Sequence, residues 1–334
     1  MSGRRVHRRA LGTSLSEASA RPLPRRVAVA LLAALALAAA AVSIAIAVAG
    51  SGSAHAPLPA SRSAGRATGL LDGGARARHL AGALASPWKA AARVGGQPAA
   101  WLWRHARVTM MRFDQRLVHL VLHAGSSDGG TIGWAHGDSV VGAEVHRLLA
   151  AINGGFKLTY RDVGFMSGGR VAVPLKAGLA SIVTYSDGST NIGAWDAGVP
   201  SRRKTVFSVL QNQRLLVDHG VRAATVSDCI IKCWGGTVEL RTRVARSGLG
   251  ITASGQLVWA AGEVLTPRGL AEALIRAGAV RAIELDINPW WVAGYLYRHG
   301  PTGPTPVPLV DGQRGVTGAF LKPYSRDFVT FVAG

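Results

Sequence analysis

The chain has 334 residues, with 38 Lys and Arg against 18 Asp and Glu, a formal net charge of +20. That length holds one large domain or two small ones with ample apolar residues for a core. The charge argues less for nucleic acid than its size implies, because 14 of the 20 units fall before Phe113: seven Arg against Glu17 in residues 1–26, and nine basic residues against Asp72 in residues 51–112.

Residues 27–50 run for 24 positions without a charge, long enough to cross a bilayer as a helix. Arg25 and Arg26 abut its start, and Arg4, Arg5, Arg8, Arg9 and Arg21 precede it. The positive-inside rule therefore assigns residues 1–26 to the cytoplasm and everything after Gly50 to the outside. A single-pass anchor in the cytoplasmic membrane is favoured over a secretory signal peptide cut near Ala54-His55-Ala56, because the apolar run is longer than a usual signal core. Either way the C-terminal domain is extracytoplasmic, secreted if the segment is cleaved. Basic flanks beside such a segment suit anionic lipid, and no basic stretch interleaves with aromatics as in a nucleic-acid groove. Membrane is an expected partner and nucleic acid is not.

Residues 51–106 read as a flexible linker and juxtamembrane segment. Their first part is rich in Ser, Ala, Gly, Pro and Arg. Trp88 to His105 is basic and carries three Trp, which fits either a short helix near the membrane surface or a leading element packed on the domain. The folded domain is expected over 107–334. Val108–Phe113 and Leu117–His123 read as strands around Asp114-Gln115-Arg116. Asp138–Ala150 has helical spacing with Asp138 as N-cap, and it delivers the chain into Ala151-Ile152-Asn153-Gly154-Gly155-Phe156. Short apolar alternations broken by Asp187-Gly188 and Ser254-Gly255 then imply an extensive sheet.

Thr266 as N-cap, Pro267 at the first helical position and the Leu270, Leu274, Ile275 stripe predict one clear helix, ended by Gly278. A strand follows, in which Ile283, Leu285 and Ile287 alternate with Glu284, Asp286 and Asn288. Short strands with Pro- and Gly-rich loops complete the chain. The expected class is α+β: a large mixed, mostly antiparallel sheet with a few packed helices, preceded by one transmembrane helix.

Cys229 and Cys233 are the only cysteines. Two thiols cannot make a zinc site, no His-x-x-x-His stands nearby, and no metal ligands or cofactor are picked out. Outside the cytoplasm a local disulfide is favoured over two reduced, half-buried thiols.

Four features could carry chemistry. Paired glycines in Asn153-Gly154-Gly155-Phe156 let backbone approach a ligand, although Asn-Gly is equally a hairpin signal. Arg246 beside Ser247-Gly248 suits a phosphate or carboxylate, or is a plain strand-end Arg. Glu284 and Asp286, about 6.5–7 Å apart on one face, could divide acid and base roles in glycoside cleavage, or form a solvated face. Trp290 and Trp291, beyond Asn288, offer rings to a pyranose or pack in the core. No Gly-x-Ser-x-Gly elbow, Walker loop or dinucleotide fingerprint is present.

In this order, these motifs resemble the phosphodiester glycosidase family, which includes the lysosomal uncovering enzyme and bacterial exopolysaccharide-associated relatives. The resemblance covers about Val108 to Ala333. Its Asn-Gly-Gly-Phe-Phe motif matches Asn153 to Phe156, with Lys157 replacing the second Phe. Its Arg-Thr/Ser-Ala-x-Gly motif matches Arg246 to Gly250, followed by Gly255-Gln256-Leu257. Its Leu-Ala helix matches Leu270-Ala271, and its Ala-x-x-Leu-Asp strand matches Ala282 to Asp286. The family's strand then ends in Gly-Gly-Gly-Ser, where this chain has Ile287-Asn288-Pro289-Trp290. The resemblance implies a hydrolase acting on a sugar phosphodiester or envelope glycan, which the apolar segment at 27–50 would anchor to the membrane. In it Arg246 would bind phosphate, Asp286 or Glu284 would act as acid or base, and Asn153 would hold a sugar hydroxyl. Gly154, Gly155, Asn288 and Trp290 would line the substrate. The altered loop favours the alternative, a non-catalytic envelope module that binds glycan or a protein partner on the same fold.

Overall fold

The structure, a computed structural model, describes residues 86–129, 133–237 and 239–334. The tail at 1–26, the apolar segment at 27–50 and the linker through residue 85 lie outside the described residues. Among the described residues no helix is long and apolar enough to cross a membrane.

The chain opens with β1 (Lys89–Val94), β2 (Gln97–His105), β3 (Val108–Phe113) and β4 (Val118–His123), then α1 (Ala143–Arg147) and β5 (Leu148–Asn153). Next come β6 (Val163–Ser167), β7 (Arg170–Val173), β8 (Ala180–Tyr185), β9 (Thr190–Ala194), β10 (Val206–Asn212), β11 (Leu215–Asp218) and β12 (Val221–Arg222). Two short helices, α2 (Thr225–Asp228) and α3 (Ile230–Trp234), lead to β13 (Val244–Thr252), β14 (Leu257–Leu265), α4 (Pro267–Arg276) and β15 (Ala279–Ile287). The chain closes with β16 (Gly294–Gly300), β17 (Gly303–Pro308) and β18 (Phe328–Ala333).

The class is α+β and the pairing is antiparallel, but the strands form three sheets rather than one. Their orders are β1-β2-β3-β14-β13-β15-β11-β12, β7-β6-β10-β8-β9 and β17-β16-β5-β18-β4. The principal core lies where apolar faces from all three meet: Met111, Leu249, Trp259 and Leu285 from the first, Phe165 and Leu210 from the second, Ile152 and Phe331 from the third. Phe113 and Phe331 stack there across two sheets, with ring centroids 3.7 Å apart. A second core lies under α4, where Leu270, Ala271 and Leu274 meet Met110, Val258 and Ala260. The Thr266 hydroxyl caps α4 by accepting from the Gly269 N–H at 3.0 Å, and Gly278 follows at a φ of +100°.

Two expectations are corrected. Of the two readings of Trp88–His105, the leading element packed on the domain is the one that forms: Lys89–His105 is a hairpin turned by Gly95-Gly96, not a membrane-surface helix, and β2 continues into the first sheet beside β3. Trp88 packs edge-on to Trp103 and under the Arg112 guanidinium, so these aromatics serve packing and the domain begins before Arg107. Helix α1 covers only Ala143–Arg147, its N-cap is Gly142 rather than Asp138, and Val141 is exposed. The run from Leu148 is instead the fully buried β5, paired to β16 and β18; a continuous apolar run reads alike as buried helix or buried strand. The two strands expected around Asp114 form as β3 and β4; they belong to different sheets, so the chain crosses between layers at that turn.

Candidate active site

The opening to the site is prepared by an irregularity in β15. Arg246 faces Ile287 in register while Gly248 faces Glu284, so two residues of β13 span three of β15. Such a bulge frees backbone groups that must find other partners. The Asn212 amide, reaching from the second sheet, donates to the carbonyls of Glu284 (2.7 Å) and Leu285 (3.0 Å). The Ser247 hydroxyl donates to the Asp286 carbonyl at 3.3 Å and to Asn153 Oδ1 at 3.0 Å.

The bulge ends the period-two alternation, and the two carboxylates acquire separate partners. Glu284 and Arg246 form a sealed pair, Oε1 to Nη1 2.7 Å, with neither side chain exposed. The remaining Arg246 donors go to backbone carbonyls of Trp234 (2.8 Å), Leu265 (3.2 Å) and Thr242 (3.5 Å). Burial pushes Glu284 up to about 7 despite the Arg246 charge, and its Oε2 is left without a partner. Neither residue reaches the cavity described below, so Arg246 does not supply the expected phosphate ligand. Nor does Glu284 share a site with Asp286.

Asp286 takes the other course. Its Oδ2 pairs with Arg326 Nη1 at 2.8 Å, and its Oδ1 accepts the Ile287 N–H at 2.7 Å. Arg326 also holds Asp128 through Nε at 2.8 Å and the Gly155 carbonyl through Nη2 at 2.8 Å, and its guanidinium lies 4.9 Å from the Trp291 ring centre. Next in sequence, Asp327 accepts the Gly155 N–H at 2.8 Å. Burial pushes both Asp286 and Asp327 up to about 7, against the pull of Arg326. Burial alone would lower the Arg326 pKa, but Asp286, Asp327 and Asp128 outweigh it and raise it.

Asn153-Gly154-Gly155 is thus a mount for Arg326-Asp327 rather than a contact for substrate. A Cβ on Gly154 would lie 2.0 Å from Asp327 Oδ2, so only glycine admits that approach. Asn153 is buried, with its amide spent on the Gly154 carbonyl and its oxygen on Ser247 and the Ala293 N–H. Asn288 occupies the second glycine position of the family pattern at a φ of +89°, and its Oδ1 accepts the Trp290 N–H at 3.1 Å. Asparagine tolerates a positive φ better than most residues, so the chain can turn here without glycine.

These elements border a cavity of about 600 Å³. Asp286, Ile287, Asn288, Trp291 and Arg326 line one side, Phe156, Lys157 and residues 159–162 another, and α3 with residues 235–237 a third. The Cys229–Cys233 disulfide staples α3, with Cα atoms 5.4 Å apart. Four cationic side chains (Lys157, Arg161, Lys232, Arg326) face two acidic ones (Asp162, Asp286). Trp290 is 54% exposed and lies outside this lining, so Trp291 is the ring at the site. Of the residues singled out in the sequence, the cavity gathers Phe156, Asp286, Asn288 and Trp291, backed by Asn153, Gly154 and Gly155. Sequence reasoning missed Arg326, Asp327 and Asp128. The signal available was an Arg-Asp pair at the entry to the apolar final strand.

No protein-family model matches the chain, and no curated protein matches it in sequence. Among solved structures it is similar to the catalytic domain of zebrafish N-acetylglucosamine-1-phosphodiester alpha-N-acetylglucosaminidase, auto-inhibited by its pro-peptide. That similarity has 15% identity and a TM-score of 0.44, covering 74% of this chain and 87% of the other. It is also similar to a hypothetical protein from Synechocystis at 13% identity and a TM-score of 0.39, covering 75% of this chain and 65% of that one.

Proposed function

We propose that this chain is a membrane-anchored, extracytoplasmic phosphodiester-glycosidase-like protein that hydrolyses a sugar phosphodiester or an envelope-glycan linkage. The observation that carries the proposal is Asp286: a carboxyl at the wall of an electropositive cavity, pushed up to about 7 beside Arg326. An acid with that pKa exchanges protons readily at neutral pH. Four cations against two acids favour an anionic substrate. Arg326, in place of Arg246, is the guanidinium positioned for a phosphate, and Tyr160, 59% exposed at the cavity, offers a ring face to a sugar. In the reaction, water adds to the anomeric carbon, its bond to the phosphate oxygen breaks, and Asp286 takes the proton from the water. Asn153 positions the backbone that holds Arg326.

Asp286→Asn tests this in the full chain: release of sugar from a sugar-1-phosphodiester is expected to cease. Undiminished release would remove Asp286 from the mechanism. A second reading, a non-catalytic envelope module, is favoured by one observation: both Asp286 oxygens are already engaged, by Arg326 and the Ile287 N–H. Saturable binding of isolated envelope polysaccharide without release of sugar or phosphate would select that reading.

A further inference from the structure

Away from Asp286, a second cavity of about 490 Å³ is lined by His123, His136 and Glu144 together with His119, Tyr185 and Ser186. His123 ends β4, His136 lies in the following loop and Glu144 is in α1. One donor atom from each lies within 4.8 Å of the other two. His123 Nε2 is 2.9 Å from Glu144 Oε1, and His136 Nδ1 is 3.4 Å from Glu144 Oε2. Ligands about 2.0–2.1 Å from a tetrahedral ion stand about 3.3 Å apart, so these separations need little adjustment to enclose one.

The surroundings fix the donors. The His123 ring is buried and stacks on Phe328, with centroids 4.2 Å apart. The Thr330 hydroxyl donates to Glu144 Oε1 at 2.6 Å, orienting the carboxylate from the strand beneath. His123 Nδ1, buried, has no hydrogen-bond partner among the described residues. His136 is the most open of the three, its side chain 30% exposed toward solvent.

We propose that His123, His136 and Glu144 form a binding site for one divalent transition-metal ion of the zinc class, with a further coordination position facing the cavity. Two imidazoles and a carboxylate suit zinc or cobalt(II) far better than calcium or magnesium, which take oxygen ligands. Three protein ligands beside an open cavity leave room for water or a small anion as the fourth.

The test uses the full chain, prepared without a histidine tag, stripped by chelator and titrated with cobalt(II) and then zinc. One cobalt per chain is expected, with the visible absorption of a low-coordinate nitrogen/oxygen site, displaced by zinc. His136→Ala, at a partly exposed position, should stay folded by circular dichroism and lose at least about 100-fold in affinity, beyond the 10–100-fold that loss of a supporting partner costs. Glu144→Gln should lose a similar amount. Absence of stoichiometric uptake by the wild-type chain overturns the site. Unchanged uptake by His136→Ala also overturns it, since the ion would then sit elsewhere. Neither outcome depends on turnover at Asp286.

Discussion

The molecule contains two buried arginine–carboxylate pairs whose acids, Glu284 and Asp286, stand two residues apart in β15 and turn to different arginines. Arg246–Glu284 is sealed, with neither side chain exposed, and every Arg246 donor group is spent on Glu284 or on backbone. Arg326–Asp286 sits at a cavity wall, with side chains 6% and 8% exposed, beside Asp128, Asp327 and Trp291. A buried charge is functional only where a ligand can reach it. The first pair fastens β13 and β15 beneath α3, and the second presents a charge and a protonatable group to a void.

The largest effect that could break this comparison is in the sealed pair. Arg246→Leu leaves Glu284 without its counter-charge, and unfolding stability should fall by about 3–5 kcal/mol in urea titration at pH 8. The loss should shrink at pH 5, where Glu284 is protonated. A loss below about 1 kcal/mol at pH 8 would mean that the pair is not structural.

Next is the staple on the cavity wall. Replacing Cys229 and Cys233 by Ser releases a short loop, and a cost of about 2 kcal/mol is expected from chain entropy. Because Lys232 and Gly235–Thr237 line the cavity, ligand affinity should fall along with thermal stability. Unaltered affinity would detach α3 from the site.

Asp286→Asn should contrast with Arg246→Leu. Arg326 retains Asp128 and the Gly155 carbonyl, so stability should change by no more than about 1 kcal/mol, the net worth of one hydrogen bond, while turnover ceases. A stability loss as large as that of Arg246→Leu would make the two pairs alike.

A pH slope is common to both pairs. Asp286, Asp327 and Glu284 rise to about 7 in the fold from ordinary values of 3.8 and 4.5. The folded state therefore binds their protons more tightly than the unfolded chain. Their contribution is fully present below about pH 4 and is lost as pH rises through about 7. The melting temperature should be higher at pH 5.5 than at pH 8, and Asp327→Asn should flatten part of that fall. An unchanged slope in that variant would mean Asp327 does not titrate there.

Much of this was legible along the chain because it depends on neighbours in sequence. Thr266, Pro267 and the Leu270–Leu274 spacing specify α4 by local capping and periodicity, and Gly278 ends it. Asp187-Gly188 and Ser254-Gly255 mark hairpins that form between β8 and β9 and between β13 and β14. Two lone cysteines in a chain expected outside the cytoplasm made the Cys229–Cys233 bond readable, whereas Asn153-Gly154-Gly155 lies behind the cavity as a mount for Arg326-Asp327. What the local pattern could not carry was register. Two carboxylates spaced by two residues share a face only if pairing is regular, and the bulge between β13 and β15 is a property of the pair of strands, not of either one. That shift, fixed by Asn212 from another sheet and Ser247 from the neighbouring strand, sends Glu284 to Arg246 and Asp286 to Arg326. Sequence alone determined that acids and an arginine would meet near β15. Only tertiary packing decided which arginine faces the cavity, because the candidates lie 80 residues apart and burial, not spacing, separates them.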